Sequence, residues 1–529
     1  MPDPRDHPSV AVTEHDVVNA FGRSGIALPI EEVPLYTESI RSALEEIAVF
    51  LDTTKSMAAP HDASAGRDRG HRPDPAEDPL NAWQWRCTIP GAEGLLSGKS
   101  VSFKDNIAVA GIPMGIGTEM LAGFIPDIDA TVVQRVLAAG GTIIGKNTMD
   151  GLTGGHGNGG SFGDSGPVLN PRNPEHLTGG SSSGGAAAVA SGQVDIAFGG
   201  DQSGSIRIPA AWCGTVGLKP TFGMVSHHGV AYDVDQSVDH VGPLAASVRN
   251  AALAFEAVAG HDDADPRQGR AIPEAMDVMS TLEDGITGLR VGVLAEGFAD
   301  ADPAVSAAVT AAVDRLRGLG AHISPISIPA HTGLASAMMA VLIGGSRASF
   351  ETTIAGAHHA AGYPESIVTA VQHFRGNHAE KLNPRRILYL GLAELARQRF
   401  DDALYVRGHN LRAHFRSAFD AAFAQVDLLV MPTMLDCAPK REPARARADA
   451  LAMSLRNPMG FGRVIRNTAP ASYTGHPALA VPAGFVGDLP ASLQLVGPHF
   501  SEALLLRCAY ALEQVSAEVK PTGRGASVS

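Results

Sequence analysis

Through the middle of the chain, short apolar runs alternate with stretches of small residues, and that rhythm predicts strands alternating with helices. "SVSFKDNIAV" (100–109) reads as a strand, "DATVVQRVLAAGG" (129–141) as a helix ended by glycines, and "TIIGKN" (142–147) as a strand. "GGAAAVASG" (184–192) follows as a helix and "VDIAFGGD" (194–201) as a strand. Such alternation implies an α/β layered core. Further core strands are expected at "VDLLVMPT" (426–433), "ALAVPAGF" (478–485) and "ASLQLVG" (491–497), and Leu504, Leu505, Cys508 and Leu512 mark a closing helix.

The N-terminal pattern differs. Thr13 is an N-cap candidate ahead of Val17, Val18 and Phe21, with Gly22 and Gly25 ending that helix. A second helix starts near Pro34 and carries Ile40, Leu44, Ile47 and Leu51 as one apolar stripe. Residues 55 to 81 are rich in Pro, Ala and charge and read as a surface connection. The expected organisation is a helical section over 1–54, a connection over 55–89, a catalytic domain over 90–515 and a tail over 516–529. No repeat period suggests a solenoid.

With 529 residues, 44% of them hydrophobic, the chain can bury a large core. Its formal net charge of −14 argues against a nucleic-acid surface, which needs clustered Lys and Arg. A small, roughly neutral substrate fits better. Cys87, Cys213, Cys437 and Cys508 are scattered without paired spacing, as expected of buried thiols in a reducing compartment. The first residues lack a basic region followed by an apolar core, and no apolar run reaches the roughly 18 to 20 residues of a spanning helix. The expected location is the cytoplasm, away from membranes.

Three motifs invite wrong chemistry. "GGTIIGKNT" has P-loop spacing, but Asn147 stands where Ser or Thr should hold magnesium, and the glycines precede the strand instead of following it. "GLLSGKS" has Glu93 at its first glycine position. Gly180 to Gly184 satisfies G-x-S-x-G around Ser182, yet the preceding "LNPRNPEHLTG" is no buried strand.

"TGGSSSGG" (178–185) alone would pass for a linker. It gains meaning beside "GGDQSGSIRIPAAWCGTVGLKP" (199–220) and "VSFKDN" (101–106). Together these segments resemble the amidase signature family, serine hydrolases with a Ser-Ser-Lys triad. The resemblance runs on through "NTM" (147–149), "DHVGPLA" (239–245), "TGHPALAVPAG" (474–484) and "ASLQLVGPHF" (491–500). It implies a layered fold with a central mixed sheet flanked by helices.

Carried over by position, the family pattern makes Ser205 the nucleophile, Ser181 the bridging serine and Lys104 the base. The types suit the chemistry, because a serine hydroxyl needs a neighbouring base, and a lysine can be that base only when neutral. The resemblance further implies a cis peptide before the bridging serine and an oxyanion turn of backbone N–H groups at Gln202, Ser203, Gly204 and Ser205. No metal or organic cofactor is implied. Ser182 is expected to support the triad, and Asp201 and Arg207 to pair and hold the turn.

Two features depart from the pattern. Ser203 stands where many members have a glycine, so its Cβ is expected to restrict the oxyanion turn. The loop has three serines, so the bridging role goes to Ser181 by its spacing back from Ser205, with Ser182 next in line. Among the 20 histidines, His227, His228, His358, His359 and His476 are candidates for a Ser-His-Asp arrangement but are expected to be packing or surface residues. Cys213 is expected to be a buried, inert thiol.

The chain most resembles stand-alone bacterial amidases associated with nitrile degradation. The expected activity is hydrolysis of a carboxamide to acid and ammonia or amine. A carbamate or anilide would meet the same triad, and an amidotransferase catalytic subunit using glutamine is a further alternative. The helical N-terminus is a candidate contact for a homodimer.

Overall fold

A computed structural model of the chain describes residues 11–23, 25–54, 63–151, 165–231, 234–269, 271–352, 366–370, 373, 384–441 and 461–516. The chain divides after Asp62 into two compact units.

The first unit is a helix pair, α1 (Glu14–Arg23) and α2 (Val33–Thr54). Thr13 caps α1 as expected: its hydroxyl accepts from the Asp16 N–H at 3.2 Å, and its own N–H donates to the Asp16 carboxylate at 2.9 Å. Gly22 lies inside the helix, and the chain turns at Gly25, whose φ of +74° suits a C-terminal cap. Phe21 and Tyr36 pack 5.3 Å apart between the two helices. The stripe expected on α2 is not a core face. Ile47 is 49% and Leu51 58% exposed, and only Val33 and Thr37 of this helix are buried.

The second unit is built on an 11-stranded mixed sheet ordered β1-β3-β2-β4-β6-β5-β10-β11-β9-β7-β8. Its strands are β1 (Trp83–Ile89), β2 (Ser100–Lys104), β3 (Thr142–Asn147), β4 (Ile196–Asp201), β5 (Val216–Lys219), β6 (His240–Ala245), β7 (Arg290–Leu294), β8 (His322–Ile326), β9 (Leu428–Pro432), β10 (Ala478–Val486) and β11 (Leu489–Val496). Helices α3 (Thr131–Ala138), α4 (Ser183–Ala190), α5 (Arg207–Cys213), α6 (Val248–Val258), α7 (Ala295–Phe298), α8 (Pro303–Gly318) and α9 (His331–Thr352) flank it. Further helices span Pro384–Phe400, Ala403–Phe423, Phe461–Val464, Ala469–Thr474 and Glu502–Ser516.

Two expectations are corrected. Residues 83–89, assigned above to the connection, form β1 and pair antiparallel with β3. Arg86 and Trp85 sit among the apolar residues of that strand and obscure its period. The strand expected over 100–109 stops at Lys104. Asp105 and Asn106 are turn formers: the Ile107 N–H closes back on the Lys104 carbonyl at 2.9 Å, and the Asp105 carboxylate takes the Gly115 N–H at 2.9 Å. The expected tail beyond Ser516 lies outside the described residues.

β2 lies between β3 and β4 and runs parallel to both. Phe103 and Phe198 face each other in register across β2 and β4, with rings stacked 5.5 Å apart and fully buried. Burying such a ring is worth about 1.5–3 kcal/mol. This pair fastens the two strands one residue before β2 ends and three before β4 ends, so it sets where the next residues emerge.

Candidate active site

The carboxyl ends of three parallel strands share one edge, the usual place for a ligand crevice in α/β sheets. β2 delivers Lys104 as its last residue, and β4 runs into the turn 202–205. The serine loop reaches the same edge because α4 begins there: the Gly184 N–H bonds the Thr148 carbonyl, just past β3, at 3.0 Å.

Lys104, 2% exposed, is hydrogen-bonded through Nζ to Ser181 Oγ at 2.7 Å. The peptide bond between Gly180 and Ser181 is cis. A Cβ on Gly180 would fall 2.2 Å from the Asp150 carboxylate, so the close approach of that aspartate requires glycine here. Ser182 bridges the two serine segments, its N–H bonding the Ser205 carbonyl at 3.2 Å and its hydroxyl the Gly200 carbonyl at 3.2 Å. Ser183 opens α4 and is buried.

One cavity is lined by Lys104, Ser181 and Ser205, together with Asn106, Gln202, Ser203 and Asp239. Its apolar wall is Ile208, Val234, Leu342 and Ile465. Ser205 sits between β4 and α5. The unusual torsion of the turn falls on Gly204, with φ +142°, and Ser203 has no positive φ. The conformation that a side chain would forbid thus falls on Gly204 and not on Ser203.

Asp201 and Arg207 flank the turn and pair. Arg207 Nε and Nη2 reach the two carboxylate oxygens at 3.0 Å each, and both side chains are fully buried. Arg207 also donates to Gln494 at 2.8 Å and to Ser472 at 2.7 Å, and the Ser472 hydroxyl donates to Asp201 at 3.0 Å. Burial alone would raise the Asp201 carboxyl, but Arg207 holds it well below the ordinary carboxylate range. The Asp201 carboxylate also takes the Ile206 N–H at 3.3 Å, which ties the pair to the residue after Ser205.

None of the remaining described candidates lines the cavity. Lys146 of the P-loop look-alike is buried 3.4 Å from the Asp105 carboxylate, where desolvation pulls its pKa down. The Cys213 thiol is buried and pushed up to about 12. His227 lies 3.4 Å from Asp239 and is held low by burial and then by Arg267. His476 spends its two nitrogens on Thr474 at 2.8 Å and Asp420 at 3.0 Å. Although Asp420, His476 and His499 bring ligand-type atoms within 4.8 Å of one another, these bonds and Arg416, which donates to the Thr474 carbonyl at 3.1 Å, account for the cluster. His228 is only part-buried, near Thr131 at 3.5 Å, and His358 and His359 lie outside the described residues.

The Amidase family model matches residues 75–506. The chain belongs to the amidase signature family. An enantioselective amidase of Rhodococcus rhodochrous is 35% identical over 488 residues, 88% of this chain and 90% of its own. A glutamyl-tRNA(Gln) amidotransferase subunit from Halobacterium salinarum is 37% identical over 443 residues, 82% of this chain and 100% of its own. The solved peptide amidase of Stenotrophomonas maltophilia superimposes with a TM-score of 0.63 at 30% identity, covering 81% of this chain and 85% of that one. The protein is thus an amidase signature enzyme that hydrolyses C–N bonds of amides. No helix among the described residues is long and apolar enough to cross a membrane.

Sequence reasoning missed the apolar wall of this amidase signature site. Val234 and Ile465 lie in segments without periodic pattern, and Leu342 lies in α9, whose continuous apolar run shows burial but not which neighbours it meets. Asp239, which accepts from the Gln202 side chain at 3.2 Å, was visible only as part of a motif.

Proposed function

We propose that the protein is a stand-alone amidase acting on neutral carboxamides with an apolar acyl group, through an acyl-enzyme on Ser205. The observation that carries this reading is the buried Lys104–Ser181 hydrogen bond of 2.7 Å in a cavity that Ser205 also lines. A buried amine is costly to charge, so the relay starts from neutral Lys104. Lys104 takes the Ser181 proton as Ser181 takes that of Ser205, and Ser205 Oγ bonds to the carbonyl carbon. The oxyanion rests on N–H groups of the 202–205 turn, where each preorganised donor is worth about 3–4 kcal/mol. The reversed relay protonates the leaving nitrogen as the C–N bond breaks. Water, deprotonated the same way, then releases the acid and frees Ser205.

Substrate class follows from the wall. Ile208, Val234, Leu342 and Ile465 offer apolar contact, and among the described lining residues Lys104 is the sole basic side chain, already engaged with Ser181. An α-carboxylate such as that of glutamine meets no free cationic partner among them. The second reading, a glutamine-using amidotransferase component, is favoured by the 37% identity to such a protein over its full length.

The test is hydrolysis of benzamide, an aliphatic amide, an anilide, an aryl carbamate and glutamine, each against Ser205→Ala. Turnover of a simple amide that vanishes in the variant is the expected result. Turnover of glutamine alone, or only with an added partner protein, would transfer the enzyme to the second reading. A carbamate or anilide preferred over benzamide would keep the triad and change the substrate.

A further inference from the structure

Thr468 stands immediately before the helix Ala469–Thr474 and is fully buried. Its hydroxyl lies 2.5 Å from the Ser203 carbonyl and 3.4 Å from that of Ile465, so its single proton goes to Ser203. The same oxygen occupies the space a side chain at 204 would need: a Cβ on Gly204 would fall 2.4 Å from it. Glycine at 204 and threonine at 468 therefore fit as a pair, and this close approach belongs to the turn beside Ser205.

The consequence lies in peptide geometry. The Ser203–Gly204 bond is trans, and in a trans peptide the C=O and N–H point in opposite directions. A hydroxyl that holds the Ser203 carbonyl to one side thereby aims the Gly204 N–H to the other. Ser203 and Ser205, on either side of Gly204, line the cavity, and neither Gly204 nor Thr468 is among its lining residues. The next peptide is held as well, since the Gly204 carbonyl accepts from the Ile208 N–H at 2.7 Å.

Thr468 is itself rigidly placed. The neighbouring Asn467 donates from Nδ2 to the carbonyls of Gly297 at 2.8 Å and Pro432 at 2.7 Å, and its own carbonyl accepts from Gln494 at 2.7 Å. Four residues on, Ser472 bonds Asp201. One short segment thus holds both Asp201, where the turn begins, and Ser203 within it.

We propose that Thr468 is a positioning residue that aims the Gly204 N–H at the developing oxyanion. The inference rests on the acyl-enzyme reading above and concerns only this donor.

The experiment compares wild type, Thr468→Val and Thr468→Ser, with Ser205→Ala as blank. Each is treated with a fluorophosphonate and the labelling rate is read by intact-mass spectrometry. In that reaction Ser205 Oγ bonds to phosphorus, fluoride leaves, and the serine proton passes to the relay, so no natural substrate is needed. Thr468→Val is expected to label about tenfold or more slowly, with a matching fall in kcat on the best amide and KM nearly unchanged, since loss of an oxyanion donor costs about 10²–10³. Thr468→Ser, which keeps the hydroxyl, is expected to restore most of the rate. A merely structural role predicts a lower melting temperature with the labelling rate per folded molecule unchanged, and that result overturns the proposal. Should Thr468→Val fail to fold, Thr468→Ala is judged by the same ratio. Absence of wild-type labelling refutes the nucleophile and this proposal with it, whereas wild-type labelling without amide turnover refutes only the substrate reading.

Discussion

Arg207 grips both oxygens of Asp201 at 3.0 Å with no solvent at either group, six residues apart along a chain that carries the proposed nucleophile between them. Such a pair is poor evidence of net stability, but breaking it strands a charge. Arg207→Met is expected to cost about 3–5 kcal/mol because it leaves Asp201 ionised and buried. Asp201→Asn combined with Arg207→Met is expected to recover part of that loss. Urea unfolding of the two variants checks this, and equal stabilities would contradict it.

Ser181 and Ser182 are adjacent and equally buried, yet their hydroxyls have different partners. Ser181 Oγ meets Lys104, and Ser182 Oγ meets only a backbone carbonyl. Ser181→Ala and Lys104→Met are each expected to lower kcat by about 10³ or more, as loss of one member of a catalytic unit does. Ser182→Ala is expected to lose about tenfold or less, one neutral hydrogen bond being worth about 1 kcal/mol. Steady-state kinetics on the best amide of the panel decides; a reversed order would move the bridging role to Ser182.

The two residues before Ser205 are expected to respond differently to exchange. Ser203→Gly removes a side chain from an ordinary conformation, with a loss of about 0.5–1 kcal/mol from chain entropy and little change in kcat. Gly204→Ala places a methyl at φ +142° against the Thr468 hydroxyl, and both stability and kcat are expected to fall. Thermal melts and kinetics of the two variants separate these outcomes.

Buried histidines set the acid side of the stability profile. His240 and His476 are held well below 6.5, His240 by burial and then Lys219, His476 by burial and then His499. The unfolded chain therefore binds protons near pH 6.5 that the folded chain refuses, so stability is whole above that value and falls as pH drops below it. Each such group contributes a slope of up to about 1.4 kcal/mol per pH unit. Unfolding free energies measured from about pH 8 to about pH 5 should show the decline, and His240→Gln should flatten it by about one proton. A flat wild-type profile would contradict the neutral assignment.

The strand–helix rhythm from Ser100 to Asp201 was legible because each segment buries its own apolar run, and β3 begins and ends where the pattern places it. Lys104, Ser181 and Ser205 were legible only through their motif context, since lysine and serine are ordinary residues elsewhere. β1 was hidden by Trp85 and Arg86, and the end of β2 by apolar residues beyond the Asp105–Asn106 turn.

By itself the sequence determined the layered α/β class and the family and pointed to the residues proposed to bear the chemistry, because local burial patterns and motif spacing are properties of contiguous chain. Only the tertiary structure decided that β2 and β4 lie side by side, that Lys104 meets Ser181 across 77 positions, and that Thr468 meets Ser203 across 265. It also decided the apolar wall of the cavity and the release of Ser203 from the strained torsion. Each of these depends on which segments pack together, and that choice is made by the whole core at once, with no local signal to announce it.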